Sequence, residues 1–290
     1  KPITFWDEAL PLGNGKMGCL LYGDGPIRMS LDRVDLWDTR PHPVTLEEGF
    51  CYKNLVALST SCKKEDWVER DRLFEDIYSE FPYPSKITAG RLELDFGAKA
   101  KNICSEVDIH RAVGNLSFEG GSIEVYMHAT RFIGVAKVCG DYELKIHIPK
   151  YISGQEYEDL QKANEGGVIV PVTGMGYPQA DVVTDGEFTY YRQETKSDLS
   201  YGIVVYRVPK TDYTELYFTI ETNADGEDFI ESAKDKLREI SKMEYKALLA
   251  EHVAWWDKYW NESKISIDDE TKKYLAFNSS GDLRTCFNTL

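Results

Sequence analysis

No apolar run in this 290-residue sequence approaches the roughly 18 residues a helix needs to cross a bilayer, so nothing in it reads as a membrane span. Basic clusters are missing too. Against 34 Lys and Arg stand 49 Asp and Glu, a formal net charge of −15 that repels polyanions and excludes nucleic acid as a partner. Cysteine is sparse: Cys19, Cys51, Cys62, Cys104, Cys139 and Cys286 are scattered, with no C-x-x-C and no Cys/His spacing of the zinc type. That excludes a disulfide scaffold and gives no metal site. Cys19 lies in an apolar run and reads as a buried thiol. The five histidines (His42, His110, His128, His147 and His252) form no H-x-x-x-H, and no G-x-S-x-G nucleophile motif occurs. Internal repeats and low-complexity stretches are absent. The first residue is Lys1, so a removed signal peptide and a start inside a longer gene both stay open, and the compartment with them.

What is present is aromatic and polar. Tyr (18) and Trp (6) are frequent, which suits sheet faces and sugar-stacking surfaces alike. Gly13-Asn14-Gly15-Lys16-Met17-Gly18 matches G-x-G-x-x-G letter for letter. A dinucleotide loop needs a buried strand before it and a helix after it. Here "TFWDEALPL" precedes and "CLLYGDGPIRMSL" follows, with Asp24-Gly25 a type I′ hairpin signal between apolar runs. The glycines therefore shape a turn in β structure, where Gly13 or Gly15 is expected at positive φ, and no cofactor is implied.

Period-2 alternation dominates the middle of the chain. Leu92, Leu94 and Phe96 alternate with Arg91, Glu93 and Asp95. Ile123, Val125 and Met127 share a face, as do Tyr142, Leu144, Ile146 and Ile148, and Leu216, Phe218 and Ile220. Such runs predict antiparallel sheets with one buried and one wetter face, and many of them predict a sandwich or barrel. On that pattern His128 and His147 fall on the wetter faces. Trp67, Phe74, Ile77, Tyr78 and Phe81 recur at helical spacing, predicting one inserted helix over 63–81 ended by Pro82 and Pro84. Between Asp228 and Trp260 there is no Gly or Pro. Ile230, Ala233, Leu237 and Ile240 form one stripe, and Ser241-x-x-Glu244 reads as a capping box opening a second helix. The expected fold is mainly β, an antiparallel two-sheet sandwich with one inserted helix and a C-terminal helical linker. Its expected boundaries are 1–225, 226–264 and 265–290.

Two clusters are candidate sites. In "DRVDLWDTRPHP" Trp37, Asp38, Arg40 and His42 lie within six residues. A Trp platform with charged neighbours grips sugar hydroxyls, and a long loop anchored by Trp37 has the same composition. In "HVAWWDKYW" Trp256 and Trp260 share a helix face, and Trp255 lies about 100° round it. Packing between layers and a ligand surface are both compatible with that helix. Paired carboxylates are the usual glycosidase apparatus, but with 49 acidic residues spacing cannot pick a pair.

Taken together, "WDEALPLGNGKMGCLLYGDGPIRMSLDRVDLWDTRPHP", "AGRLELDF" and "YKALLAEHVAWWDKYWNESKISI" resemble family 95 glycoside hydrolases, inverting α-L-fucosidases and α-galactosidases whose N-terminal domain is related to that of family 65. Trp6, Ala9, Pro11, Gly13, Asn14, Gly15, Gly18, Leu31, Asp35, Leu36 and Trp37 match the opening motif in order. The resemblance implies a β-supersandwich and a carbohydrate partner. It also implies a downstream (α/α)₆ barrel holding the catalytic carboxylates, with the Asn14-Gly15 turn near the contact with that barrel. The chain reaches Leu290 about where the first barrel helix should begin, and "NSSGDLRTCFNTL" departs from the family pattern. No catalytic residue is carried over. Candidates for a substrate or barrel interface are Asn14, Gly15, Trp37, Asp38, Arg40, His42, Trp255 and Trp256. The implied function is the N-terminal domain of an inverting α-L-fucosidase-like hydrolase. A non-catalytic carbohydrate-binding or scaffolding module and the N-terminal domain of a family 65-like phosphorylase are the alternatives.

Overall fold

Alternating runs become strands along most of the chain, and helices enter at two places. The computed structural model describes residues 3–76, 83–97, 100–151 and 175–262. The strands of the first half are β1 (Leu10–Gly13), β2 (Met17–Tyr22), β3 (Ile27–Arg33), β4 (Trp37–Asp38), β5 (Ser85–Lys86), β6 (Gly90–Asp95), β7 (Cys104–Asp108) and β8 (Val113–Phe118). Then come β9 (Gly121–Met127), β10 (Gly134–Cys139), β11 (Glu143–His147), β12 (Val183–Asp185), β13 (Phe188–Tyr190), β14 (Gln193–Glu194), β15 (Ser200–Pro209) and β16 (Thr214–Thr222). The helices are α1 (Tyr52–Thr60), α2 (Lys64–Phe74), α3 (Phe229–Ile240) and α4 (Tyr245–Glu262).

Five strands make one sheet in the order β1-β2-β3-β6-β11, and nine make a second, β12-β13-β15-β16-β10-β9-β8-β7 with β14 beside β15. Every pairing among the described strands is antiparallel. The sheets pack face to face. Leu21, Ile27, Met29, Leu92 and Leu94 of the smaller meet Val125, Ala136, Leu216, Phe218 and Ile203 of the larger in one core. This is the antiparallel sandwich that the alternation predicts.

The outer face of the large sheet departs from expectation. Val113, Tyr126, Val135, Tyr217, Tyr206 and Phe188 stand in register across six strands and form an apolar row. That row packs under α3 and α4 through Phe229, Ala233, Leu237, Tyr245 and Leu248. Each fully buried Leu or Ile in such a layer contributes about 1.5–3 kcal/mol relative to exposure. The large sheet is therefore buried on both faces along this row, and His128, read from the sequence as solvated, is completely buried beneath α4. His147, on the open side of the small sheet, is only half-buried.

Three local features also differ from the sequence reading. The inserted segment is a pair of helices, because α1 forms without a single buried residue and so leaves no apolar stripe in the sequence. Ile77, Tyr78 and Phe81 lie outside the described residues. Ser241 does not open α4; it ends α3, its hydroxyl donating to the Arg238 carbonyl at 2.8 Å. The β2–β3 hairpin forms, but its left-handed residue is Gly23 (φ 151°) and not Asp24 or Gly25. A Cβ at Gly23 would collide with the Pro26 carbonyl oxygen. The segment 265–290 lies outside the described residues.

Candidate functional site

Asn14, Gly15 and Lys16 form a three-residue hairpin turn between β1 and β2, with Gly13 opposite Gly18. Gly15 takes φ 84°, the left-handed conformation that a residue without Cβ adopts at little cost. Asn14 builds the turn. Its Oδ1 accepts the backbone N–H groups of Met17 (2.8 Å) and Lys16 (3.2 Å), and its Nδ2 donates across the molecule to the His128 carbonyl at 3.0 Å. One side chain thus fixes the turn and ties it to the end of β9.

That end of β9 is in turn held by α4. The Ala129 N–H donates to His252 Nδ1 at 3.2 Å, and His252 Nε2 donates to the Arg111 carbonyl at 2.8 Å. With one ring nitrogen accepting and the other donating, the imidazole is neutral. Burial pushes its pKa down to about 4. Burial also lowers the pKa of His128, whose Nε2 lies 3.9 Å from Glu251 Oε1. Arg131 and Glu251 close the contact with two parallel hydrogen bonds, 3.1 and 2.7 Å.

Beside the turn lies a charge network that spans the two sheets. Arg33, at the end of β3, is fully buried. It grips Asp35 with two hydrogen bonds of 2.7 and 2.9 Å and donates to the Ile220 carbonyl at 2.9 Å. It also holds both carboxylate oxygens of Asp225. Burial opposes its charge, and the hydrogen bonds to Asp225 and Asp35 outweigh burial and raise its pKa. For Asp225 burial again acts against ionisation, and Arg33 with the Thr222 N–H holds the carboxyl far below the usual range. Lys16 reaches Asp225 at 3.2 Å and Lys236 reaches Glu221 at 2.8 Å.

The predicted site residues do not form one cluster. Trp37 is 48% exposed and sits beside the turn: its indole N–H donates to the Val34 carbonyl, and the Val34 N–H donates to the Lys16 carbonyl. Asp38 points inward. It is fully buried and receives Arg40 through hydrogen bonds of 2.7–3.0 Å and the Tyr177 hydroxyl. Burial would raise its pKa, and those partners lower it below the carboxylate norm. Arg40 also donates to the Met175 carbonyl at 3.0 Å and stacks 4.0 Å from the Tyr83 ring centroid. His42 is buried, its Nδ1 accepting the Val44 N–H at the start of a 3₁₀ turn. On α4, Trp255 is 40% exposed and stacks on Tyr259 (5.6 Å, 8° between planes), whereas Trp256 turns inward toward His252. Phe132 (φ 50°), in the β9–β10 loop, adds a further exposed ring 5.3 Å from Lys16 Nζ.

So Asn14, Gly15, Trp37 and the α4 tryptophans are linked through the turn and the end of β9, whereas Asp38 and Arg40 pair with each other and His42 caps a 3₁₀ turn. Sequence reasoning missed Arg33, Asp225 and His252. A buried Arg after a strand has a weak local signal, but its partner 192 residues away has none.

No family model matches this chain, and no curated protein matches it. Among solved structures, one named "Putative kojibiose phosphorylase from human microbiome" superposes with a TM-score of 0.48 at 10% sequence identity. The match takes in 89% of this chain and 33% of that one, so this chain spans about a third of that protein's length. A superposition of that quality does not establish a shared fold and assigns no activity. Among the described residues no helix is long and apolar enough to cross a membrane.

Proposed function

We propose that this chain is the N-terminal sandwich domain of a carbohydrate-active enzyme of the family 65 and family 95 glycoside hydrolase type. In this reading residues 1–225 are the sandwich, 226–264 a helical linker, and 265–290 the start of a separate catalytic barrel. One observation carries it. The motif residue Asn14, on which the family resemblance rests, bonds to the His128 carbonyl, and the next residue is held by His252 of α4. The Gly-Asn-Gly turn and the linker helix are thus one built junction. Trp37 and Phe132 beside the turn, and Trp255 and Tyr259 on α4, stay exposed, and apolar rings left in water are what a further domain would cover.

Chemistry in the parent enzyme would be inverting. One carboxylic acid protonates the leaving oxygen while a second carboxylate activates water on the opposite face of the sugar. Each such step is worth about 10²–10⁴-fold and needs a positioned group at hydrogen-bond distance. The test compares this chain with a longer one encoded by the downstream reading frame. Both are assayed on aryl α-L-fucoside and α-galactoside, with and without phosphate. Turnover confined to the longer chain is expected. Equal turnover by the short chain would place the catalytic groups within residues 1–290 and overturn the proposal. A longer frame that encodes no barrel would overturn it in favour of a binding or scaffolding module.

A further inference from the structure

The helices cover only part of the large sheet's outer face. Two residues along the strands from the apolar row, the next row in register reads Glu106, Asn115, Glu124, Lys137 and Glu215. One step further it reads Cys104, Ser117, Ser122 and Cys139. Alternation puts all three rows on the same side of the sheet. Polarity therefore changes from apolar to charged within one step, at the margin of the helical cover, where Tyr245 opens α4. Over β7–β10 these polar rows floor a groove of about 430 Å³, with Arg111 at its margin. Small-molecule sites fall in the range of roughly 300–1,000 Å³.

The charged groups of this groove are positioned but largely unused. Glu124 accepts the Tyr245 hydroxyl at 2.8 Å through Oε1, which orients the carboxylate and leaves Oε2. The Lys137 ammonium lies 4.6 Å from the Tyr213 ring centroid and 5.9 Å from that of Tyr245. Among the described residues no carboxylate comes within ion-pair distance of it. It is held by ring faces, and its N–H groups stay available. The side chains of Glu106, Asn115 and Arg111 make no hydrogen bond to a described residue either. Two carboxylates, one ammonium and one guanidinium cancel in charge, so neither an anion nor a cation is selected as a class. The lining is too polar for an apolar ligand. A hydroxyl both donates and accepts, so neighbouring hydroxyls on one ring can bridge a carboxylate to an ammonium or a carboxamide.

We infer that this groove binds a neutral saccharide through Glu106, Arg111, Asn115, Glu124 and Lys137. The inference rests on the carbohydrate reading above only for the class of ligand, and it needs no barrel. The test titrates the 290-residue chain calorimetrically with methyl α-L-fucopyranoside, methyl α-D-galactopyranoside, methyl α-D-glucopyranoside and maltose, and with inorganic phosphate as the charged comparison. Saturable binding of at least one sugar is expected. Asn115→Ala and Lys137→Met should each weaken it about tenfold or more, with the thermal midpoint nearly unchanged. Three results would overturn the inference: no saturable binding at millimolar sugar, binding indifferent to both variants, or phosphate bound more tightly than every sugar. Its fate is separable from that of the enzyme reading. Sugar binding by this chain, with no glycoside turnover by the longer one, keeps the groove and sinks the enzyme; turnover without binding does the reverse.

Discussion

Arg28, Glu93 and Lys145 cross the outer face of the five-stranded sheet in register, and Tyr126, Val135 and Tyr217 cross the outer face of the nine-stranded one. The first row is a partly exposed set of charged groups, with Glu93 3.2 Å from Arg28 Nε and 3.3 Å from His147 Nε2 and with Lys145 reaching water. The second lies under two helices. Both sheets alternate, so alternation alone does not report how many layers a fold has. What reports it is the chemistry of the second face. A charged face ends the protein there, and an apolar one demands another layer.

The joint between the two sheets carries the largest expected effect. Arg33 is buried and hydrogen-bonded to Asp35, Asp225 and the Ile220 carbonyl, so Arg33→Ala leaves the buried Glu221, the partly buried Asp225 and the Ile220 carbonyl without their partner. It should cost about 3–5 kcal/mol in urea unfolding, with little recovery in Arg33→Lys, which lacks the planar fork. Next comes the covering layer. Leu237→Ala should cost about 2–5 kcal/mol, whereas Lys145→Ala on the open face should stay within about 0.5 kcal/mol. Similar losses from the two would erase the distinction between the faces.

Acid should separate the faces by pH. His252, under α4, is driven by burial to a folded pKa of about 4, below the unfolded value near 6.5. The unfolded state then binds the proton first, so stability falls as pH drops from about 6.5 to about 4 and levels below that. Glu93, on the outer face of the small sheet, is held down to about 2 chiefly by the His147 imidazole 3.3 Å away. Its contribution is complete above the unfolded value near 4.3 and is lost as pH falls from there through about 2. His252→Gln should shrink the upper limb of a stability-versus-pH curve, to which buried His128 also contributes, and Glu93→Gln should shrink the lower one, which it shares with Asp38 and Asp225. A single limb lost in both variants would contradict this assignment. A smaller and local loss is expected at the turn: Asn14→Ala should cost about 1–2 kcal/mol, since it strands two turn N–H groups and the His128 carbonyl.

Much of the architecture was legible, because "RLELDF" and "FIESAKDKLREI" carry periods that differ by mechanism, one alternating across a sheet and one striping a helix. The Gly-Asn-Gly turn was legible for the same reason: Asn and Gly are the residues whose side chains, or lack of them, make tight turns cheap. What stayed hidden depends on partners distant in sequence. Asn14 reaches His128 across 114 residues, and Asp38 meets the Tyr177 hydroxyl across 139. His128 follows Tyr126 on the polar side of "SIEVYMHA", and nothing local says that a helix more than 100 residues later will cover it. The Asp38–Arg40 pair was visible as a polar loop, but its inward direction was not. α1 left little signal because none of its residues is fully buried.

One feature of the topology bears on how this protein is made. β16 sits between β10 and β15, the last large-sheet strand of the chain filling the centre of the sheet. As the chain leaves a ribosome, β10 emerges with β9 already beside it and its other edge bare. That edge stays bare until residues near 214–222 follow. Val135, Ala136 and Val138 make β10 apolar on both faces, so for the duration of some 80 further residues an unsatisfied, sticky strand edge waits for its neighbour. The nascent chain is therefore most open to mispairing with another copy of itself during the synthesis of β11 to β15, and a chain arrested in that interval would carry an aggregation seed that the finished protein conceals.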